Sequence, residues 1–239
     1  MGVRPMLISI SDNSRLVAAY FNAVIALIRK DALLELRAKE SISAMVLFAI
    51  MSLVMLNFGL RLRASGMREL APSVLWIAIV FAGTLGLGRN VAGEHVTGAF
   101  DALVMAPHDP SYIFVAKACT NALHMLITGL LCLPLAAIFF DERLLNGGVV
   151  LVLIVGTLGY AGAGTLTAVL AMNTRARDVL LPILLFPLVL PLVVACVLAT
   201  AGYVDRLPFA DFGSWLGVGI GFAVIFWTAG VLLFEYVVE

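Results

Sequence analysis

The chain has 239 residues, of which 62% are hydrophobic and 13% are charged, whereas roughly 25% of the residues of a soluble domain are charged. This composition excludes a soluble fold and an intrinsically disordered chain. Fifteen basic and fifteen acidic residues give a formal net charge of zero, which excludes a protein that binds nucleic acid through a basic surface. The composition predicts an integral membrane protein.

Six apolar runs are long enough to cross a bilayer as helices, since about 20 residues at a rise of about 1.5 Å span the roughly 30 Å hydrocarbon core. They are residues 43–60, 72–88, 114–140, 149–172, 179–202 and 214–236. No run shows the alternation over about ten residues that is typical of a β-barrel strand. We therefore expect an all-α, polytopic membrane protein with one transmembrane domain, residues 18–239, after an N-terminal extension, residues 1–17.

Six spans place both termini on one side of the membrane, and ten of the fifteen Lys and Arg residues fall on that side. Because basic residues concentrate on the cytoplasmic side, and because the N-terminal residues lack the pattern of a secretory signal, we expect both termini in the cytoplasm. Arg61, Arg63 and Arg68 share one outer loop and reduce this margin, while Arg143 and Arg206 lie in two other outer loops.

Residues 18–42 mix apolar and charged positions at helical spacing, which is typical of an amphipathic helix on the membrane surface. Lys30, Asp31 and Glu35 lie mostly opposite the apolar stripe, and Arg29 lies near its edge. The alternative is an ordinary solvated helix beside the first span.

Residues 89–107, between the second and third spans, are the longest polar stretch away from the N-terminus. Apolar residues recur there at helical spacing and Pro107 ends the pattern, which predicts a short helix on the cytoplasmic surface. An apolar ridge flanked by acids suits docking into a groove of another protein; the alternative is a re-entrant or interfacial loop that only connects two spans. The apolar ridge consists of Val96, Ala99, Phe100 and Leu103, and Glu94 and Asp101 flank it.

Pro182, Pro187 and Pro191 all fall in the fifth span. Each proline removes a backbone donor and crowds the preceding turn, so we expect this helix to be kinked or broken. Freed carbonyls in a membrane need protein or water partners, which suits a moving or cavity-lining helix. Simple bending is the default alternative, since proline is common in membrane helices.

Gly213, Gly217 and Gly221 form two overlapping GxxxG units at the start of the sixth span. A face of small residues lets two helix backbones approach closely, either within one bundle or across a dimer. The pattern is compatible with both arrangements, and we favour packing within one subunit.

Motifs of catalytic and metal sites are missing: the sequence has no GxxxxGKS/T phosphate loop, HExxH, CxxCH or GxSxG. We expect no catalytic residue, bound cofactor or metal in this chain. His124 is the single histidine inside a span, and without a second histidine one turn away we favour a hydrogen bond within the bundle over a metal, haem or proton site. Lys117 and Glu235 are close enough to span ends to extend to the surface.

Three stretches resemble the haem exporter protein B family, also called cytochrome c maturation protein B, which is the membrane subunit of an ATP-binding-cassette transporter. They are residues 29–45 (RKDALLELRAKESISAM), 72–76 (PSVLW) and 98–107 (GAFDALVMAP). The resemblance continues through Lys117, the glycine-rich fourth span and the proline-containing fifth span, and covers roughly residues 25–235. The order and spacing of these features together carry it.

The resemblance implies a permease subunit of the ABC-2 exporter type that dimerises in the bacterial inner membrane. It implies partners: a cytoplasmic ATPase that hydrolyses ATP, a haem-handling membrane protein and a haem chaperone. Haem is then a transported or handled ligand, not a cofactor of this chain. By the same resemblance, the surface helix around residues 25–41 is the elbow helix, and residues 89–107 are the coupling helix that contacts the ATPase. The coupling residues that the resemblance implies are Arg89, Glu94, Gly98, Phe100, Asp101 and Leu103.

Three other functions stay open at this point. A permease of another exporter of the same superclass, for drugs, lipids or polysaccharides, fits the short outer loops equally well. A stand-alone channel or secondary carrier needs polar groups along a pore, and these are sparse in the six runs. An intramembrane enzyme around His124 and Asn121 lacks a convincing second catalytic group.

Overall fold

The computed structural model describes residues 10–61, 67–96, 110–140, 142–172, 174 and 176–238. These residues form helices throughout, in the order α1 Ile10–Ala38, α2 Glu40–Arg61, α3 Met67–Val96, α4 Ser111–Phe139, a 3-10 turn Glu142–Leu144, α5 Gly147–Met172, α6 Arg177–Val204 and α7 Phe209–Val238. Six of them, α2 to α7, are long and apolar enough to cross a membrane. The prediction of an all-α polytopic protein is confirmed. The largest shift among the span boundaries is in the sixth span, which begins at Phe209 and not at residue 214.

Helices α3, α4 and α5 form the centre of the bundle. In the most apolar stretch of α5, 72% of the residues are buried within the chain, against 17% for α7. Helix α5 packs against α4, α6 and α7, and α3 packs against α2, α4 and α6. The peripheral helices α2, α6 and α7 therefore present most of their apolar side chains outward, as expected of helices bounded by lipid.

Glycines let the side chains of neighbouring helices pack directly on the backbone of α5, the central helix. A Cβ added to Gly156 would lie 2.7 Å from Trp76 Cζ3 and 2.8 Å from Cys196 Sγ, and one added to Gly162 would lie 2.8 Å from Trp227 Cδ1. Real Cβ atoms do not approach heavy atoms so closely, so the large rings of α3 and α7 pack directly on the α5 backbone. This is the close approach that small residues permit in membrane bundles.

Two buried aromatic side chains tie the central helices together through hydrogen bonds. Trp76 of α3 donates from Nε1 to Thr200 Oγ1 of α6 at 2.9 Å. The Tyr160 hydroxyl of α5 donates to the Val80 carbonyl of α3 at 3.0 Å and lies 2.7 Å from Thr84 Oγ1. Because both side chains are almost completely buried, each bond satisfies a polar group that has no access to water.

Three boundaries differ from the sequence-based predictions. Helix α1 begins at Ile10, eight residues before the predicted start of the amphipathic helix. The segment Arg89–Val96 continues the helix of the second span as part of α3, so a separate surface helix does not begin at Arg89. Helix α6 runs from Arg177 to Val204 with its three prolines inside, so the alternative of a broken fifth span is wrong.

Candidate functional site

The two ends of the bundle have different structures. We call the end that carries α1, the last turns of α3 and the first turns of α4 the elbow end. The opposite end, which carries residues 142–146 and 205–208, is the far end. Four charged residues at the elbow end bond α1 to α4, α1 to the start of α2, and α3 to the start of α2. We call them the elbow cluster: Asp31, Glu35, Arg89 and Lys117.

A single residue, Lys39, separates α1 from α2. Its backbone φ of +54° lies in the left-handed region, which ends α1 and turns the chain into the first span. Glu35 stabilises this turn twice, because its carbonyl accepts a bond from Lys39 N at 2.6 Å and its Oε1 accepts one from Ile42 N at 2.8 Å. The second bond satisfies a backbone donor in the first turn of α2.

Asp31 and Lys117 form an ion pair between α1 and α4, with Asp31 Oδ2 2.8 Å from Lys117 Nζ. Both side chains are largely buried, with 10% and 8% of their surface exposed. From its position near a span end, we expected Lys117 to extend to the membrane surface. This expectation is wrong, because Lys117 pairs with Asp31 inside the protein. No sequence pattern indicated this contact, because the two residues are 86 positions apart.

Lys117 is the first of four polar residues along one face of α4, followed by Asn121, His124 and Thr128, all buried. Asn121 Nδ2 donates to Thr165 Oγ1 of α5 at 3.0 Å, and Thr128 Oγ1 donates to the carbonyl of His124 at 2.9 Å. At about 1.5 Å per residue this polar line extends about 16 Å into the bundle from the ion pair. It connects α1 to the central helices through polar contacts.

Arg89 ties the end of the second span to the turn at Lys39. Its Nη1 donates to the carbonyl of Glu40 at 3.2 Å, so α3 is bonded to the first residue of α2. Beyond Arg89 the helix continues to Val96, which adds about 10 Å at about 1.5 Å per residue. Glu94 lies on this extension. The predicted coupling residues Gly98, Phe100, Asp101 and Leu103 fall outside the described residues.

Of the predicted elbow-helix residues, Asp31 and Glu35 make the contacts described above. Lys30 Nζ also lies 3.2 Å from Asp31 Oδ1, and Arg29 is exposed. The structure thus brings three of the four together and leaves Arg29 at the surface of α1.

The prolines of α6 face outward rather than into a cavity within the subunit. Pro187 and Pro191 are exposed, and Pro182 is half-buried. Their ring carbons therefore form part of the outer surface of the bundle.

The glycines at the start of α7 also face outward. A Cβ added to Gly217 or Gly221 would meet no described atom within 4 Å, whereas one on Gly213 meets Phe209 of the same helix. Packing within one subunit, which we favoured, is therefore wrong for Gly217 and Gly221.

Among the described residues, no three His, Cys, Asp or Glu side chains come together as a metal site. The elbow cluster holds helices together by an ion pair and by hydrogen bonds.

The fold and the elbow cluster define a multi-pass α-helical membrane protein whose first helix is anchored to the bundle. The family model described as "CcmB protein" matches residues 22–230, and the chain belongs to the CcmB family. A protein of Bradyrhizobium diazoefficiens named "Heme exporter protein B" is 26% identical over 179 residues, which cover 74% of this chain and 81% of the relative. Proteins with the same name from Paracoccus denitrificans and Pseudomonas aeruginosa are 28% and 25% identical, over 70% and 80% of this chain and 77% and 85% of the relatives.

Proposed function

We propose that this chain is the membrane subunit of an ATP-driven exporter that acts in haem export and the release of a haem chaperone during cytochrome c maturation. The family match over residues 22–230 and the name "Heme exporter protein B" of its relatives carry this proposal. The subunit is non-catalytic and lies in the bacterial inner membrane with both termini in the cytoplasm. ATP is hydrolysed in a separate subunit.

The elbow end supplies a path for movement from such an ATPase. The last turns of α3 extend about 10 Å past Arg89, and residues 97–109 follow them in the sequence. A force that the ATPase applies to this extension is transmitted to Arg89, which is bonded to α2 through the carbonyl of Glu40. Helix α1 is held to α4 by the Asp31–Lys117 pair. Displacement of α3 therefore shifts the elbow and the central helices together, because packed cores deform little.

The same proposal includes a homodimer whose interface contains the open glycine face of α7. Gly217 and Gly221 have room for another backbone, and small residues at this spacing are typical of helix pairs in membranes. In a variant without the native cysteines, Gly217→Cys and Gly221→Cys should each form a cross-linked dimer under oxidation. Leu198→Cys, an exposed position on α6, is the control for random collision.

The first test is affinity purification of the protein in mild detergent from its native membrane, followed by identification of the bound proteins. Recovery of an ATPase with haem-handling partners supports the proposal. An ATPase alone supports an exporter with another substrate, such as a drug, lipid or polysaccharide. Absence of any ATPase in several detergents refutes the subunit function and favours a stand-alone channel or carrier.

Charge reversal tests where the ATPase binds. Glu94→Lys with Asp101→Lys should abolish recovery of the ATPase while membrane insertion stays normal, since the predicted coupling helix loses both of its acids. Glu69→Lys reverses an exposed acid at the other end of α3 and should leave recovery unchanged. Equal recovery of the ATPase with the double variant and with Glu69→Lys would count against this position for the contact.

A further inference from the structure

Two loops that are about 60 residues apart in the sequence meet at the far end around one cavity. Its volume is about 560 Å³, and the described residues that line it are Arg143, Leu145, Asn146, Tyr203 and Arg206. Two of these five are arginines and none is acidic. The sequence places Arg143 and Arg206 in separate loops, so only the fold brings both guanidinium groups to one site.

The backbone holds Arg206 in an unfavourable conformation. Its φ is +56°, in the left-handed region that glycine normally occupies after a helix. The turn is a Schellman motif, because Leu207 N donates to Gly202 O at 3.0 Å and Arg206 N donates to Tyr203 O at 3.4 Å. Non-glycine residues in this region are enriched at ligand-binding positions, and here the unusual residue lines the cavity with its charged side chain.

The opposite wall of the cavity is fixed by hydrogen bonds around Asn146. Its Nδ2 donates to the carbonyl of Arg143 at 2.8 Å, and its Oδ1 accepts a bond from Val149 N at 2.9 Å in the first turn of α5. The Tyr203 ring packs directly on Gly148, which joins the two walls. The N-terminus of α5 therefore opens beside the cavity, and its helix dipole adds positive potential to that of the two arginines.

We propose that this cavity binds the oxyanion group, a phosphate or a carboxylate, of an amphipathic molecule at the far surface of the membrane. Arginine presents a planar set of donors that matches both groups. Leu145 and the Tyr203 ring supply apolar surface beside the charges. The cavity lies where α5 begins and α6 ends, at the level where lipid headgroups meet the bundle. The phosphate of an anionic phospholipid and the carboxylates of a porphyrin are the two sources of this chemistry, and the porphyrin source rests on the proposed function.

Two probes distinguish these sources. Purified protein in neutral detergent is incubated with phosphatidylglycerol or phosphatidylcholine, and bound lipid is counted by native mass spectrometry. In parallel, mesoporphyrin IX or its dimethyl ester, which has no free carboxylate, is added stepwise to the protein, and binding is followed by the quenching of tryptophan fluorescence. The wild type should bind one of the anionic probes at least about tenfold more tightly than its neutral counterpart, because one hydrogen bond to a charged group changes affinity by about that factor.

Variants separate binding from folding. Arg143→Gln with Arg206→Gln should abolish the preference for the anionic probe, while Arg37→Gln, an exposed arginine at the elbow end, should keep it. Arg206→Gly should weaken anion binding and keep or raise thermal stability, since glycine adopts the positive φ without cost. The anionic probe that the wild type prefers over its neutral counterpart, and that the double variant no longer prefers, identifies the source of the oxyanion.

Equal binding of charged and neutral probes by the wild type would overturn the proposal. So would a preference that persists in the double variant, or unchanged binding by Arg206→Gly. Recovery of the ATPase with the double variant is measured separately and should equal that of the wild type, so failure of this site and failure of the proposed function are distinguishable.

Discussion

Removal of either member of the Asp31–Lys117 pair should destabilise the protein strongly. At 2.8 Å and an effective dielectric constant of about 20, Coulomb's law gives an attraction of about 6 kcal/mol before the cost of removing both charges from water. Losing one partner of a buried pair typically costs about 3–5 kcal/mol, because the other charge stays buried. We expect the cost of Lys117→Met to lie near the lower limit of this range, because Lys30, 3.2 Å from Asp31, still partly neutralises that carboxylate.

Lys30→Met is the matched control, because it removes a second lysine from the same carboxylate. The Lys30 side chain is 38% exposed, so solvent screens this pair and its loss should cost under about 1 kcal/mol. The double variant Asp31→Asn with Lys117→Met should recover most of the lost stability, since a buried pair replaced by neutral groups is often close to neutral.

The free energies of unfolding are measured by SDS titration in mixed micelles, followed by far-ultraviolet circular dichroism. A double-mutant cycle then gives the coupling between Asp31 and Lys117, which we expect to exceed about 2 kcal/mol. Equal losses for Lys117→Met and Lys30→Met, or additive losses in the double variant, would refute the argument that this pair is buried and anchors α1 to α4.

Three further substitutions test the packing by the same SDS titration. Gly156→Ala should cost about 1–3 kcal/mol, because its methyl group collides with the Trp76 ring, whereas Gly59→Ala, at an open position on α2, should be neutral or stabilising by up to about 1 kcal/mol; equal effects would contradict their different surroundings. Lys39→Gly should raise stability by about 1 kcal/mol and Lys39→Val should lower it, given the positive φ; the reverse order would exclude strain at this turn. Tyr160→Phe should cost about 1–2 kcal/mol through the lost bond to the α3 carbonyl, and no loss would show that this bond contributes nothing to stability.

The sequence was a good guide to the spans and a poor guide to their contacts. A run of apolar residues predicts a membrane helix because every backbone polar group must be bonded within it, and this holds whatever the helix packs against. Gly217 and Gly221 show the limit: their spacing fits a close helix contact, but the structure gives them no partner within the chain. Spacing identifies a face of a helix but does not specify the neighbour of that face.

Lys117 shows the same limit for the candidate site. Its position near a span end favoured extension to the surface, and only the docking of α1 on α4 shows that Asp31 pairs with it. The polar residues that follow it on α4 are spaced on one face in the sequence, and this pattern was the available signal of a buried polar line.

By itself, the sequence determined the membrane class, the number of apolar helices long enough to span a membrane, and a helix before the first of them, because hydrophobicity and helical periodicity act locally along the chain. The tertiary structure alone decided which charges meet: Asp31 with Lys117 at the elbow end, and Arg143 with Arg206 around the cavity at the far end. The physical reason is that helix packing depends on side-chain shape at contacts between distant segments, such as the large rings seated on the α5 glycines. Those contacts set which polar groups of neighbouring helices come within bonding distance.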